Sequence, residues 1–197
     1  MRYPKDQKRI THQAILAAAG RVFRKRGYVG SGVDAVMAEA GLTAGGFYSH
    51  FRNKEALFAE VLECAIHESS EFYSEMIGDV SGLPRVRMAL EIYLSVGHLE
   101  LDERSCPMPF LLSEVTRAGQ PVRDVLQREY RRWRDDLVSH LDGVSEPKRP
   151  ELAMGLSGLC VGGMALARSL PNREAAEESL AAHRAAGHQM INAYTSK

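Results

Sequence analysis

Cys106 is the side chain of this sequence best placed to do chemistry. It sits between Ser105 and Pro107, beside an expected helix start and close to Arg104. Helix N-termini and cations both lower thiol pKa values, and the thiolate is the form that attacks oxidants and electrophiles. A small packing residue would suit the same position. Cys160 falls inside an apolar helix and reads as inert core, and Cys64 has no activating neighbour along the chain. Three widely spaced cysteines make neither a disulfide framework nor a zinc spacing, which fits a reducing cytosol. His183 and His188 are too isolated to hold a metal, and His67 with Glu71 is a single i, i+4 pair, so no metal or cofactor is expected. There is no nucleophile elbow, P-loop or dinucleotide fingerprint. The glycines from Gly155 to Gly163 lie within a helical stretch, where their use is close approach of another helix.

Charge is distributed unevenly. The formal net charge of the 197 residues is zero, but residues 1–60 hold 10 Lys or Arg against 5 Asp or Glu, and residues 61–197 hold 15 against 20. A basic N-terminal piece on an acidic body can concentrate phosphate contacts at one end. A hydrophobic content of 45% describes a globular chain with ample core. The longest apolar stretch, Leu152 to Ala167, has 16 residues, short of the roughly 20 of a membrane span. It reads as a buried helix, and the short run Ala14 to Ala19 as one helix face, so neither a membrane nor a signal peptide is expected.

The elements that position these residues read as helices throughout. A basic lead-in (Arg2, Lys5, Lys8, Arg9) precedes a helix from about Arg9 to Arg26, with Ile15, Ala18, Ala19, Val22 and Phe23 at helical spacing. Gly27 ends it, and Ser31 is placed to cap the next helix and to offer its hydroxyl to a phosphate. Asn53 is an N-cap for a long helix of about 24 residues carrying Leu57 to Ile77. Val86 to Leu101 reads as one central helix, Phe110 to Val115 as a short one, and Pro121 to Leu141 as an amphipathic one. Leu152 to Leu170 and Glu174 to about Tyr194 are the last two. The fold class is all-α with about nine helices.

The remaining stretch is V-D-A-V-M-A-E-A-G-L-T-A-G-G-F-Y-S-H-F, Val33 to Phe51. It reads as two short helices joined by a tight turn. Val36, Ala40 and Leu42 supply an apolar face, Gly41 stops the first helix and Thr43 caps the second. Phe47 and Phe51 point one way, leaving Tyr48, Ser49 and His50 outward, an arrangement suited to a DNA groove. With A-I-L-A-A-A-G-R-V-F-R-K-R-G-Y before it and F-Y-x-H-F-x-x-K-E-x-L, Phe47 to Leu57, closing it, this part resembles the TetR family of transcriptional regulators. S-C-P-M-P-F-L-L-S-E-V, the Trp133 helix and G-G-M-A-L-A-R-S-L are similar to one branch of that family's regulatory domain.

The resemblance implies a helix-turn-helix DNA-binding domain over residues 1–55 and a ligand-binding and dimerisation domain over 56–197. It implies a cytoplasmic homodimer, paired through its last two helices, that represses from a palindromic double-stranded operator and answers to a small-molecule inducer. By position, Thr43, Ala44 and Gly45 open the recognition helix near bases, and Tyr48, His50 and Lys54 match positions that contact phosphates or bases. Some relatives with a cysteine near position 106 respond to N-ethylmaleimide and similar electrophiles, which makes Cys106 a candidate sensor. Tyr93, Met108, Phe110, Tyr130 and Trp133, with Ile92, Val96, Leu111 and Met164, are the candidate pocket lining. Two departures stand out: Met37 occupies a position where the family has a small residue, and Gly45 and Gly46 each cost about 1 kcal/mol of helix propensity. A small helical thiol enzyme using Cys106, or a helical interaction module without DNA, are the alternative readings.

Overall fold

The computed structural model describes residues 5–101 and 104–195, and among them holds nine α-helices, two short 3-10 segments and no strand. The chain divides into two compact units. The first takes in Met1–His67 and Phe110–Gln127, the second Glu68–Pro109 and Arg128–Lys197.

In the first unit, α1 (Lys5–Arg26) is followed by α2 (Val33–Glu39), a 3-10 turn (Ala44–Ser49) and the start of α3 (Lys54–Ile77). Gly27 and Gly41 end their helices with φ of 72° and 69°, the left-handed conformation that glycine takes without a Cβ penalty. Asn53 caps α3, its side-chain oxygen accepting the Ala56 N–H at 2.8 Å. Ile15, Ala19, Val22 and Phe23 of α1 meet Val36 and Met37 of α2, Phe47 and Phe51, and Leu57, Phe58, Val61 and Leu62 of α3 in one core. Phe23 meets Phe58 edge-on at 5.5 Å, and Tyr28 stacks on Phe58 at 4.3 Å. Segment 110–127, the body of α6 (Met108–Val115) and the first turns of α7 (Gln120–Ser139), adds Leu111, Val115, Val122 and Val125 to that core.

The second unit contains the rest of α3 and α7 with α4 (Gly82–Tyr93), α5 (Val96–Glu100), α8 (Arg149–Ser169) and α9 (Arg173–Thr195). Its core sets Leu152, Leu156, Cys160 and Met164 of α8 against Leu180 and Ile191 of α9 and Leu90, Tyr93 and Leu94. Glu146–Ser169 is long and apolar enough to cross a membrane by length and composition alone, but this apolar face of α8 is spent on the core. The glycines of α8 serve two sides. A Cβ on Gly155 would sit 2.6 Å from the Met190 methyl, and one on Gly163 2.8 Å from the His183 ring, so these two let α9 approach. Gly158 and Gly162 meet nothing within 4 Å.

Three expectations change. The single helix expected over Val86 to Leu101 is broken at Leu94–Ser95: Ser95 caps α5, accepting the His98 N–H at 3.1 Å, and His98 Nδ1 lies 2.5 Å from the Tyr93 carbonyl oxygen. A local polar side chain there captures backbone groups that a continuous helix would have used. The second helix of the Val33–Phe51 hairpin is a 3-10 turn, not an α-helix, with Gly46 N–H bonded to Thr43 O and His50 N–H to Phe47 O. Two consecutive glycines weaken the α form, and a short 3-10 segment needs fewer residues in register. Finally, the caps expected of Thr43 and Ser31 are absent: Thr43 makes no side-chain cap bond, and Gly32 occupies the N-cap of α2.

Candidate nucleic-acid interface and sensor site

The hairpin presents a polar edge over an apolar floor. Phe47 is completely buried and Phe51 nearly so, while Tyr48 between them is 73% exposed. Thr43, Ala44, Gly45 and Ser49 are also exposed. The Ser49 hydroxyl donates to the Gly46 carbonyl oxygen at 2.7 Å, so it closes the turn as well as lying on its surface. Leu42, expected in the apolar face, is at the surface, whereas Val36 and Met37 are sealed in. Met37 does not push the two elements apart: a Cβ on Gly46 would lie 3.6 Å from its terminal methyl. That is an ordinary contact distance, so Met37 is accommodated without requiring a glycine at position 46.

Around this edge the predicted contact residues are held differently. His50 is half-buried with no partner for Nδ1, and burial holds its pKa below the usual histidine value, with His12 and Lys8 acting in the same direction. His12 stacks on Phe51 at 4.4 Å, and its Nε2 lies 2.6 Å from a Glu60 oxygen. The Lys54 ammonium sits 4.3 Å from the centroid of Tyr28, a cation–π contact that fixes a long side chain at the start of α3. Burial lowers the Lys54 pKa, with the Glu114 carboxylate opposing. A cation beside first-turn N–H groups is a ready phosphate site. Ser31 stands apart: it is buried, and its hydroxyl donates to the Gly27 carbonyl oxygen at 2.7 Å.

Two contacts that sequence alone does not announce tie segment 110–127 to the head. Glu114 accepts the Val29 N–H at 2.8 Å, and Glu55 accepts the Gly119 N–H at 2.5 Å. Both are carboxylates reaching backbone across long sequence separations, which leaves no local pattern to detect. His12 and Tyr28 are likewise silent in the sequence, being ordinary residues of a helix and a loop.

Of the candidate sensor residues, Phe110 belongs to the first unit, where the Arg24 guanidinium lies 4.9 Å from its ring. Tyr93, Cys106, Met108, Tyr130 and Trp133 belong to the second. Cys106 is half-buried against that unit's core, Tyr93 and Met108 are buried, and Tyr130 meets Trp133 edge-on at 6.5 Å. His98, unforeseen, is buried between Tyr73 and Tyr93, with ring centroids 5.3 and 4.5 Å away. Its Nε2 accepts the Cys106 N–H at 3.2 Å, which puts the proton on Nδ1, donating to Tyr93 O. Both ring nitrogens are therefore committed, and neither is available as a base for the thiol.

Burial pushes the His98 pKa down to about 4. The unfolded chain takes up this proton near the ordinary value of about 6.5, so stability is full above that pH and declines as pH falls toward 4. The expected loss over this window is roughly 3 kcal/mol. Urea unfolding of wild type and His98→Gln between pH 7 and pH 4 checks it, and equal pH slopes would show that His98 is not the group responsible.

The fold and this edge define a helix-turn-helix protein with a separate helical body. Residues 15–61 match the family model for bacterial regulatory proteins, tetR family. The chain is similar to the HTH-type transcriptional regulator LmrA of Bacillus subtilis (strain 168), 26% identical over 173 residues that cover 82% of this chain and 88% of LmrA. It is 31% identical over 121 residues to the HTH-type transcriptional repressor DhaR of Mycobacterium sp. (strain GP1), covering 61% and 60% of the two chains. Among solved structures, a TetR transcriptional regulator from Chloroflexus aurantiacus J-10-FL superposes with a TM-score of 0.78 at 21% identity, covering 93% of this chain and 97% of that one. The reduced form of E. coli NemR gives 0.76 at 20%, covering 91% and 95%. At such identities these two establish the fold. The family match over residues 15–61, the two relatives and the shared fold together support a TetR-family helix-turn-helix transcriptional regulator.

Proposed function

We propose that the protein is a cytoplasmic homodimeric repressor that binds a palindromic operator and is released by a small molecule or by modification of Cys106. The observation that carries the DNA half is the exposed edge Thr43–Ser49, with Tyr48 held outward between two buried phenylalanines and Lys54 anchored over Tyr28. Thr43, Ala44, Gly45, Tyr48, Ser49, His50 and Lys54 are the contact residues in this reading. Ser31, whose hydroxyl is already used, contributes only its backbone. With Gly45 and Gly46 in the recognition element, few side chains can make bidentate base contacts, so operator choice rests on apolar, backbone and DNA-shape contacts. Selected sites that lose all sequence preference on His50→Ala alone would contradict that.

Dimerisation is supported by one stripe on α8. Met154 and Leu166 are 46% and 50% exposed, Gly158 and Gly162 lie between them, and the four are spaced by four residues, on one helix face. Large apolar ends with a small-residue centre suit a partner helix approaching closely. Residues 1–55 then read DNA, and residues 56–197 bind the ligand and the second copy. Repression, rather than activation, is the reading supported by the similarity to DhaR, a transcriptional repressor. The thiol-enzyme reading is weakened by His98, whose two nitrogens are occupied.

The test is DNA retention before and after N-ethylmaleimide, read by fluorescence anisotropy. Treatment should weaken wild-type binding at least about tenfold and leave Cys106→Ala unchanged, as expected if a bulky adduct favours the DNA-incompetent state. Unchanged wild-type affinity would remove Cys106 as a sensor, and retention of no duplex at all would remove the repressor.

A further inference from the structure

The second unit buries polar groups that its own packing leaves unanswered. Tyr93 is 7% exposed and its hydroxyl has no hydrogen-bond partner, and the Tyr73 hydroxyl is buried in the same condition. A buried donor left unmade costs free energy comparable to a lost hydrogen bond, so two side by side call for an explanation. The two phenol rings lie 5.9 Å apart and share His98 as a common edge-on neighbour. The Cys106 side chain neighbours the Tyr93 hydroxyl and lies near Tyr73 as well. Cys106 is half-buried.

The surroundings set the chemistry. Burial raises the pKa of both phenols, so each keeps its proton and can donate it. His98 is neutral with both nitrogens used, and burial pushes the Cys160 thiol up to about 12. Among the described residues, the charged side chain that acts on Tyr73 and His98 is Arg168, which is itself exposed to solvent. Two neutral O–H donors in an apolar wall complement an acceptor oxygen, and an apolar body around that oxygen complements the wall.

We propose that Tyr73 and Tyr93 bind an uncharged small molecule through its carbonyl oxygen, beside Cys106. The proposal rests on the reading of the second unit as ligand-binding, and names the ligand class.

Cyclohexanone and methylenecyclohexane test it, because they share a shape and differ in the acceptor oxygen, and neither alkylates a thiol. Cyclohexanecarboxylate supplies the anionic arm. Titrations of the full-length protein by ligand-observed NMR should show cyclohexanone binding about tenfold more tightly than methylenecyclohexane, the worth of one or two neutral hydrogen bonds. The preference should fall within about twofold in Tyr73→Phe/Tyr93→Phe, checked for folding by circular dichroism, and persist in Cys106→Ala. Equal binding of the two neutral probes, survival of the preference in the double variant, or tighter binding of the carboxylate would each overturn it. So would no binding of any probe, which would leave the phenols to buried water. The readout contains no DNA and no alkylation, so the Cys106 release mechanism can fail while this stands, and the reverse.

Discussion

Phe47→Ala should lower the unfolding free energy by about 3–5 kcal/mol, as expected for removing a fully buried aromatic side chain and leaving a cavity. Phe47 is completely buried, stacks on Phe51 at 5.6 Å and is the only side chain of the 3-10 turn in the core of the head. With the floor of the turn gone, DNA binding should be lost as well. Tyr48→Ala is the matched control. Its ring is 73% exposed, so its stability cost should stay within about 0.5 kcal/mol. Urea titrations of the three proteins check the contrast, and comparable costs for the two substitutions would mean that the turn is not packed as described.

In the proposed dimer, Gly158→Arg should leave each chain folded and separate the two copies. A Cβ at Gly158 meets nothing within 4 Å in its own chain, whereas a partner helix seated on the Met154–Leu166 stripe would have no room for a guanidinium. Loss of the second head removes the multivalent gain, so operator affinity should fall by about 10²–10⁴-fold. Sedimentation velocity and anisotropy titration read the two effects together. A variant that remains dimeric would place the seam elsewhere on the molecule.

Much of the fold is legible in the sequence because its signals are local. Gly27, Gly41 and Asn53 mark helix ends through backbone chemistry that needs no tertiary context, and the apolar spacing of α1, α3 and α8 reports their buried faces. The break at Leu94–Ser95 is hidden because an all-round apolar run looks continuous, and only the fold brings the His98 ring back onto the Tyr93 carbonyl oxygen. The 3-10 character of the recognition element is half visible in Gly45 and Gly46. What the sequence conceals is that Met37 is fully buried without forcing the turn away, its terminal methyl within ordinary contact range of Gly46. Around the sensor candidate, Cys106 can be found by its neighbours along the chain. His98 and Tyr73 cannot, since their relation to it is made by α3, α5 and the approach to α6 meeting in space.

The central claim is that the Thr43–Lys54 edge of two paired chains reads DNA. Selection from a pool of random duplexes, repeated at several salt concentrations, tests it most directly. The account predicts recovery of one palindrome whose half-sites are spaced for successive major grooves, with affinity falling steeply as salt rises. Recovery of an unpaired site, or no enrichment over the starting pool at low salt, would contradict it.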